Sequence, residues 1–242
     1  MILNNRTVLV TGANRGIGEA LVKQLLSQGA RKVYAAARDT RRLPDFGDQR
    51  VVPLQLDITD AAQVAAAAQQ ASDVDLLINN AGVAAFTGLL DGPEDLLRRD
   101  METNYYGTLS MVRSFVPVLE SKKDAAIVNV VTIAAFVNFP VIGGYSASKA
   151  ALFSLSQGIR IELAPKGIAV HTVNPGPIDT DLAQEFPTDK ADVNETAARI
   201  LAGLENDEAD IFPDDMGRSM FDTWRGDYRD LERMVHDMTN AS

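Results

Sequence analysis

Six short apolar runs separated by helical stretches constrain this chain more than any other feature. They are Thr7–Val10, Lys32–Ala37, Val51–Leu56, Asp75–Asn79, Ala126–Val131 and Ile168–Val173. Each is a continuous apolar run and not an alternating one, which predicts strands buried on both faces. The stretches between them read as helices: one after Gly16, an alanine-rich one over Asp60–Gln70, a long one over Glu94–Ser121 interrupted or bent near Pro117, and one over Tyr145–Leu163. Strands alternating with helices predict an α/β fold, a doubly wound, mostly parallel sheet with helices on both faces. No linker, repeat or low-complexity segment divides the 242 residues, so residues 1–242 are expected to form one domain.

The first run leads into Thr11-Gly12-Ala13-Asn14-Arg15-Gly16-Ile17-Gly18. Ile17, Ala20, Leu21 and Leu25 then fit one helix face, and Gly29 its end. Glycines let a backbone approach a pyrophosphate, and the helix N-terminus offers unpaired N–H groups and the positive end of its dipole. The spacing here is Gly-x-x-x-Gly-x-Gly, and the strand before and helix after it make the motif credible.

A second motif is Tyr145-Ser146-Ala147-Ser148-Lys149. Residues four apart share a helix face. A free phenol ionises near pH ~10. A neighbouring ammonium favours the phenolate, and such a pair can exchange protons with a substrate oxygen.

Composition narrows the chemistry. A net charge of −10 argues against nucleic acid and anionic membranes as partners. There is no cysteine and there are two histidines, His171 and His236, so no thiol nucleophile and no metal site are expected. No apolar run approaches the roughly 20 residues of a membrane span. The start, Met1–Arg6, runs straight into a strand and leaves no room for a signal peptide, which suits a cytoplasmic protein.

Four separated stretches, in this order and spacing, make the chain from Thr7 to about Leu182 resemble the short-chain dehydrogenase/reductase family. They are Thr11–Gly18, Asn79-Asn80-Ala81-Gly82, Tyr145–Lys149 and Pro175-Gly176-Pro177-Ile178-Asp179-Thr180. The resemblance implies a Rossmann-like fold and a nicotinamide cofactor. It puts Gly12, Asn14, Arg15, Gly16, Ile17 and Gly18 at the cofactor's glycine turn. Asp57 and Ile58 would meet the adenine, and Asn80, Ala81 and Gly82 the adenosine ribose. Pro175, Gly176, Ile178 and Thr180 would sit at the nicotinamide end, with Tyr145 and Lys149 beside the nicotinamide ribose. As a bare residue Asp57 could instead cap a helix, for which Asp60 is the better candidate. Tyr145 would be the proton donor, Lys149 would lower its pKa, and Asn104 would support a water relay. The serine that the family carries thirteen residues before its tyrosine is Thr132 here, which keeps the hydroxyl, adds a methyl group and stiffens the side chain.

Cofactor choice turns on Ala35-Ala36-Ala37-Arg38-Asp39 at the end of the second strand. An acid at such a tip binds the adenosine ribose hydroxyls, and an arginine accommodates a 2′-phosphate. Ala37 holds the acid's place, Arg38 follows it, and Arg15 is a second basic group expected to aim at the same region, so NADP(H) is favoured. Asp39 is the competing candidate.

The expectation is an NADP(H)-dependent oxidoreductase that reduces apolar ketones or aldehydes. Wall segments are expected at residues 83–86 and 136–141, and a substrate lid over about 181–197. The alternatives are an NAD-dependent alcohol or sugar dehydrogenase, or a dinucleotide-binding sensor without turnover. Family members often dimerise through their two long helices, and Ala150, Ala151, Phe153, Ser154 and Gln157 offer a small-residue surface for this. The stretch from Ala209 onward does not look like the family's usual last strand and tail. It is expected to form an amphipathic helix through Phe221, Trp224, Tyr228, Leu231 and Met234 that covers a second interface, giving a dimer, or a monomer at low concentration, and not a tetramer.

Overall fold

A computed structural model describes residues 1–184 and 188–240 of the chain. Seven strands form one parallel sheet in the order β3-β2-β1-β4-β5-β6-β7. These are β1 (Thr7–Thr11), β2 (Lys32–Ala37), β3 (Val51–Gln55), β4 (Leu76–Asn79), β5 (Ala126–Val130), β6 (Ala169–Val173) and β7 (Asp210–Ile211). The order reverses between β1 and β4, the place where open parallel sheets bind ligands at their C-terminal edge.

Side chains alternate across each strand and feed two cores. Val8 and Val10 of β1, with Leu76, Ile78 and Val128, pack under α1 (Gly16–Ser27) and α6 (Val193–Glu205). Leu9, Leu77 and Ile127 face the other way, under α2 (Ala61–Gln70), α4 (Thr108–Leu119) and the end of α5 (Gly143–Leu163). Both faces are thus covered, as continuous apolar strands require.

Asp60 caps α2, accepting hydrogen bonds from Ala62 N and Gln63 N. Asp192 caps α6 in the same way through Asn194 N and Glu195 N. The expected lid over 181–197 overlaps α6, a helix not anticipated in the sequence. It keeps a 3-10 turn at Asp181–Ala183, and from Val193 it is helix. Residues 185–187 of that lid lie outside the described residues, as do residues 241–242 of the tail.

The expected single long helix is α3 (Glu94–Met101), a π-helical segment (Glu102–Gly107) and α4. The interruption is therefore at 102–107 and not at Pro117, which sits inside α4, and the helix runs on through Leu119. The tail is two helices, α7 (Asp215–Gly226) and α8 (Tyr228–Asn240). Met220, Leu231 and Val235 bury against Ile133 and Val137, with Trp224 and Met234 beside them.

Candidate active site

The glycine turn links β1 to α1. Gly12 and Gly16 adopt φ of +66° and +56°, a region side chains rarely enter. A Cβ on Gly18 would lie 2.2 Å from Gly12 O, so this crossing admits only glycine. The first turn of α1 has no side-chain cap, which leaves its N–H groups facing the turn. This cradle fits the pyrophosphate of a dinucleotide by shape and by charge.

Asn80 ties the cradle to β4. Its Nδ2 donates to Thr11 O at 2.9 Å and to Gly12 O at 3.2 Å. Asn80 N and Ala81 N both donate to Thr11 Oγ1 at 3.0 Å. Asn80 therefore braces the turn, and its amide is committed to protein. Ile58 is turned inward, with its side chain where a Cβ on Gly107 would clash at 2.9 Å. Asp57 Oδ1 accepts from Thr59 N and Thr59 Oγ1, and Oδ2 has no hydrogen bond among the described residues. Asn14 and Ile17 are half-buried on the turn.

At the tip of β2, Arg38 is exposed and has no ion pair among the described residues. Asp39 is bound by the Arg41 guanidinium through both oxygens, at 2.9 and 3.0 Å, and caps the turn at Thr40–Arg42. Arg41 thus neutralises the acid that competed with Arg38. Arg15, expected to aim at the β2 tip, here donates from Nη1 to Asp181 Oδ2 at 2.6 Å and so points to the loop after β6. Both partners are exposed, and such a pair contributes about 0–1 kcal/mol.

The Tyr/Lys pair lies on the first turns of α5. Lys149 is 4 % exposed, and its Nζ donates to Val130 O at 2.8 Å and lies 5.7 Å from the Tyr145 ring centroid. Burial pushes Lys149 down to about 8. Burial also holds the Tyr145 phenol above its ordinary range; a hydrogen bond with Thr132 opposes that rise and the Asp100 carboxylate adds to it. In this arrangement the lowering expected from Lys149 comes from Thr132, because the ammonium is drawn to the Val130 carbonyl. Thr132 Oγ1 also donates to Pro175 O at 3.1 Å. A hydroxyl has one hydrogen, so Thr132 serves either Pro175 or the phenol oxygen as donor at any moment.

Asn104 is fully buried in the π segment, a kind of turn frequent at functional sites. Its Nδ2 donates to Val83 O at 2.8 Å and Ser148 Oγ at 2.9 Å, and its Oδ1 accepts from Val83 N at 2.9 Å. The side chain is thus spent on bridging β4's loop to α5, and any water it supports would use the main-chain carbonyl. A Cβ on Gly82 would come within 3.1 Å of Asn104 Oδ1 and 3.5 Å of Lys149 Nζ, so these three residues converge.

Pro175 and Ile178 are buried, and Gly176 and Thr180 half-buried, in the loop after β6. Thr180 packs on the glycine turn: a Cβ on Gly16 would meet its Cγ2 at 3.1 Å. The structure therefore brings Gly12–Gly18, Asn80–Gly82, Asn104, Thr132, Tyr145, Lys149 and Pro175–Thr180 to the sheet's C-terminal edge.

Asp100 was missed in the sequence. It is fully buried; Oδ2 accepts from Ala85 N at 3.0 Å, and Oδ1 lies 3.6 Å from Arg99, beyond hydrogen-bond reach. A Cβ on Gly144, next to Tyr145, would be 3.5 Å from Oδ2. Its position one helical turn before Asn104 was the available signal.

The family profile described as short chain dehydrogenase matches residues 6–191. L-rhamnose 1-dehydrogenase (NAD(P)(+)) from Azotobacter vinelandii is 32 % identical over 226 residues, 87 % of this chain and 88 % of that protein. The human dehydrogenase/reductase SDR family member 7 is 35 % identical over 75 % of this chain, a match spanning 58 % of its own length. Among solved structures, a short chain dehydrogenase from Burkholderia cenocepacia in complex with NADP is 41 % identical. It superposes with a TM-score of 0.93 over 97 % of this chain and 99 % of its own. The bulky-bulky ketone specific alcohol dehydrogenase from Comamonas testosteroni is 25 % identical with a TM-score of 0.78, over 92 % and 93 % of the two chains.

Proposed function

The chain belongs to the short-chain dehydrogenase/reductase family, oxidoreductases that work with a nicotinamide dinucleotide, and from that premise we propose that it reduces neutral, apolar ketones or aldehydes with NADP(H). The observation that carries the reading is the meeting of Tyr145, Thr132 and Lys149 at the same sheet edge as the uncapped glycine cradle.

When bound, the cofactor supplies the hydride. Gly12, Gly16, Ile17 and Gly18 would hold its pyrophosphate, Asp57 Oδ2 its adenine amine, and Ile178 and Thr180 its carboxamide end. Tyr145 donates a proton to the carbonyl oxygen. Thr132 hydrogen-bonds the same oxygen or the phenol, which favours charge where it develops. Lys149, lowered to about 8 by burial, would hold the nicotinamide ribose and a proton path past Asn104.

For the phosphate form, the support is Arg38, which has no ion pair among the described residues, beside an Asp39 that Arg41 already occupies. For apolar substrates, it is the exposed Phe86, Leu89, Leu90, Val141 and Leu182 on the segments bordering the site. The likeness to a rhamnose dehydrogenase supports sugar oxidation as a second reading; that apolar rim suits a polyhydroxylated substrate poorly. We place the protein in the cytoplasm: among the described residues no helix is long and apolar enough to cross a membrane. Tyr106 and Ile161, exposed on the two long helices, support a homodimer across that face.

Binding titrations with Arg38→Ala test the cofactor assignment. NADPH should weaken by about tenfold to a hundredfold, the loss of one charge-assisted contact, with NADH nearly unaffected. Equal losses for both would overturn it.

A further inference from the structure

We propose that Asp214 is a positioning residue that clamps the Pro175–Gly176 peptide and, through it, sets the position of the Thr132 hydroxyl. The inference rests on the reading of Tyr145 and Thr132 as the reacting pair. Asp214 stands in the C-terminal segment, beyond the residues that match the family profile. Its side chain is 5 % exposed.

Each oxygen of Asp214 takes one backbone N–H. Oδ1 accepts from Gly217 N at 2.7 Å and so caps α7. Oδ2 accepts from Gly176 N at 2.8 Å, 38 residues away in sequence. Helix capping explains the first bond and not the second. The approach is close: a Cβ on Gly176 would lie 2.7 Å from Asp214 Oδ1, and one on Gly217 would lie 2.9 Å from Asn174 O. Ionised acceptors make stronger, shorter bonds to N–H groups, and the α7 N-terminus favours the carboxylate charge.

The peptide between Pro175 and Gly176 is planar and trans, so its N–H and C=O point in opposite directions. Holding the Gly176 N–H from the Asp214 side aims the Pro175 carbonyl at the other side. There it accepts from Thr132 Oγ1 at 3.1 Å and from Ile133 N at 3.0 Å. Thr132 is the hydroxyl that the proposed function sets on the substrate oxygen. One rigid peptide thus connects the C-terminal segment to the Thr132 hydroxyl.

Asp214→Ser separates the two roles. A serine can still cap α7 but is too short to reach Gly176 as well. In the cofactor-free protein, amide hydrogen exchange at Gly176 and Ile133 should quicken at least about tenfold while Val128 in the sheet stays protected. With NADPH and a ketone, kcat should fall about tenfold with little change in KM, and the isotope effect from deuterated NADPH should rise as hydride transfer becomes limiting. Unchanged exchange at Gly176 and Ile133 would overturn the clamp. Faster exchange with unchanged kcat and isotope effect would overturn its positioning role. If the wild-type protein reduced no carbonyl, the proposed function would fail while exchange still decided the clamp. Should Asp214→Ser not fold, Asp214→Asn, which loses one of two acceptors, carries the same measurements.

Discussion

At Tyr145 the chain sets a phenol between a hydroxyl that favours its ionised form and a buried carboxylate that opposes it. The carboxylate is Asp100, and Arg99 and Lys149 are the cations near this pair. Asp100→Asn keeps an acceptor for Ala85 N and removes the charge. Tyr145 should then lose its proton at lower pH. Carbonyl reduction uses the protonated phenol, so its rate should fall off at a lower pH than in the wild type. A pH profile of kcat whose alkaline limb does not move would contradict this. Burial also raises the Asp100 carboxyl itself. The folded state therefore binds that proton more readily than the unfolded state. The stability this contributes is complete below the unfolded carboxylate value and is lost as pH rises through the folded one; Asp100→Asn should lose that dependence. Gly12, Tyr145 and Lys149 stood out in the sequence because four separated motifs, in order and spacing, resembled one family; the Tyr/Lys spacing by itself is a weak signal. Asp100 and Asp214 did not stand out, because an acid on a helix or at a cap is ordinarily solvated and only tertiary packing buries these two. The Arg15–Asp181 pair was not legible for a related reason: a long side chain in a turn is aimed by its partner, and Asp181 is remote in sequence.

At the scale of elements, the six main strands were legible because each is a continuous apolar run. The seventh, Asp210–Ile211, is two residues long and carries no such run. The α6 helix did carry a signal, an Asp192 cap followed by Ala197, Ile200, Leu201 and Leu204 on one buried face. The π segment carried none, since an extra residue in a turn leaves no mark on composition. Yet it is this segment that holds Asn104 against Ser148 of α5, while Asp100, on the turn before, accepts from Ala85 N. The tail helices show how packing redirects a plausible surface. Phe153, expected to face a partner, instead meets Phe136 at 4.8 Å between ring centres, and Phe136 joins Phe212, Phe221 and Trp224. That aromatic cluster pins the segment leading from Thr132 to α5.

For the whole molecule, the tail occupies the surface beside residues 133–139, and the long helices stay open at Tyr106 and Ile161. Light scattering on the purified protein should give the mass of two chains; a stable mass of four would contradict the claim that the tail covers the second interface. Reduction of carbonyl groups through Tyr145 is the step on which the proposed function stands. It is tested most directly by following NADPH oxidation with a panel of apolar ketones and aldehydes in the wild type and in Tyr145→Phe. The wild type should turn over, and the variant should lose at least about 100-fold in kcat while binding NADPH as before. A Tyr145→Phe protein that works nearly as fast, or a wild type that binds NADPH and reduces nothing, would contradict it.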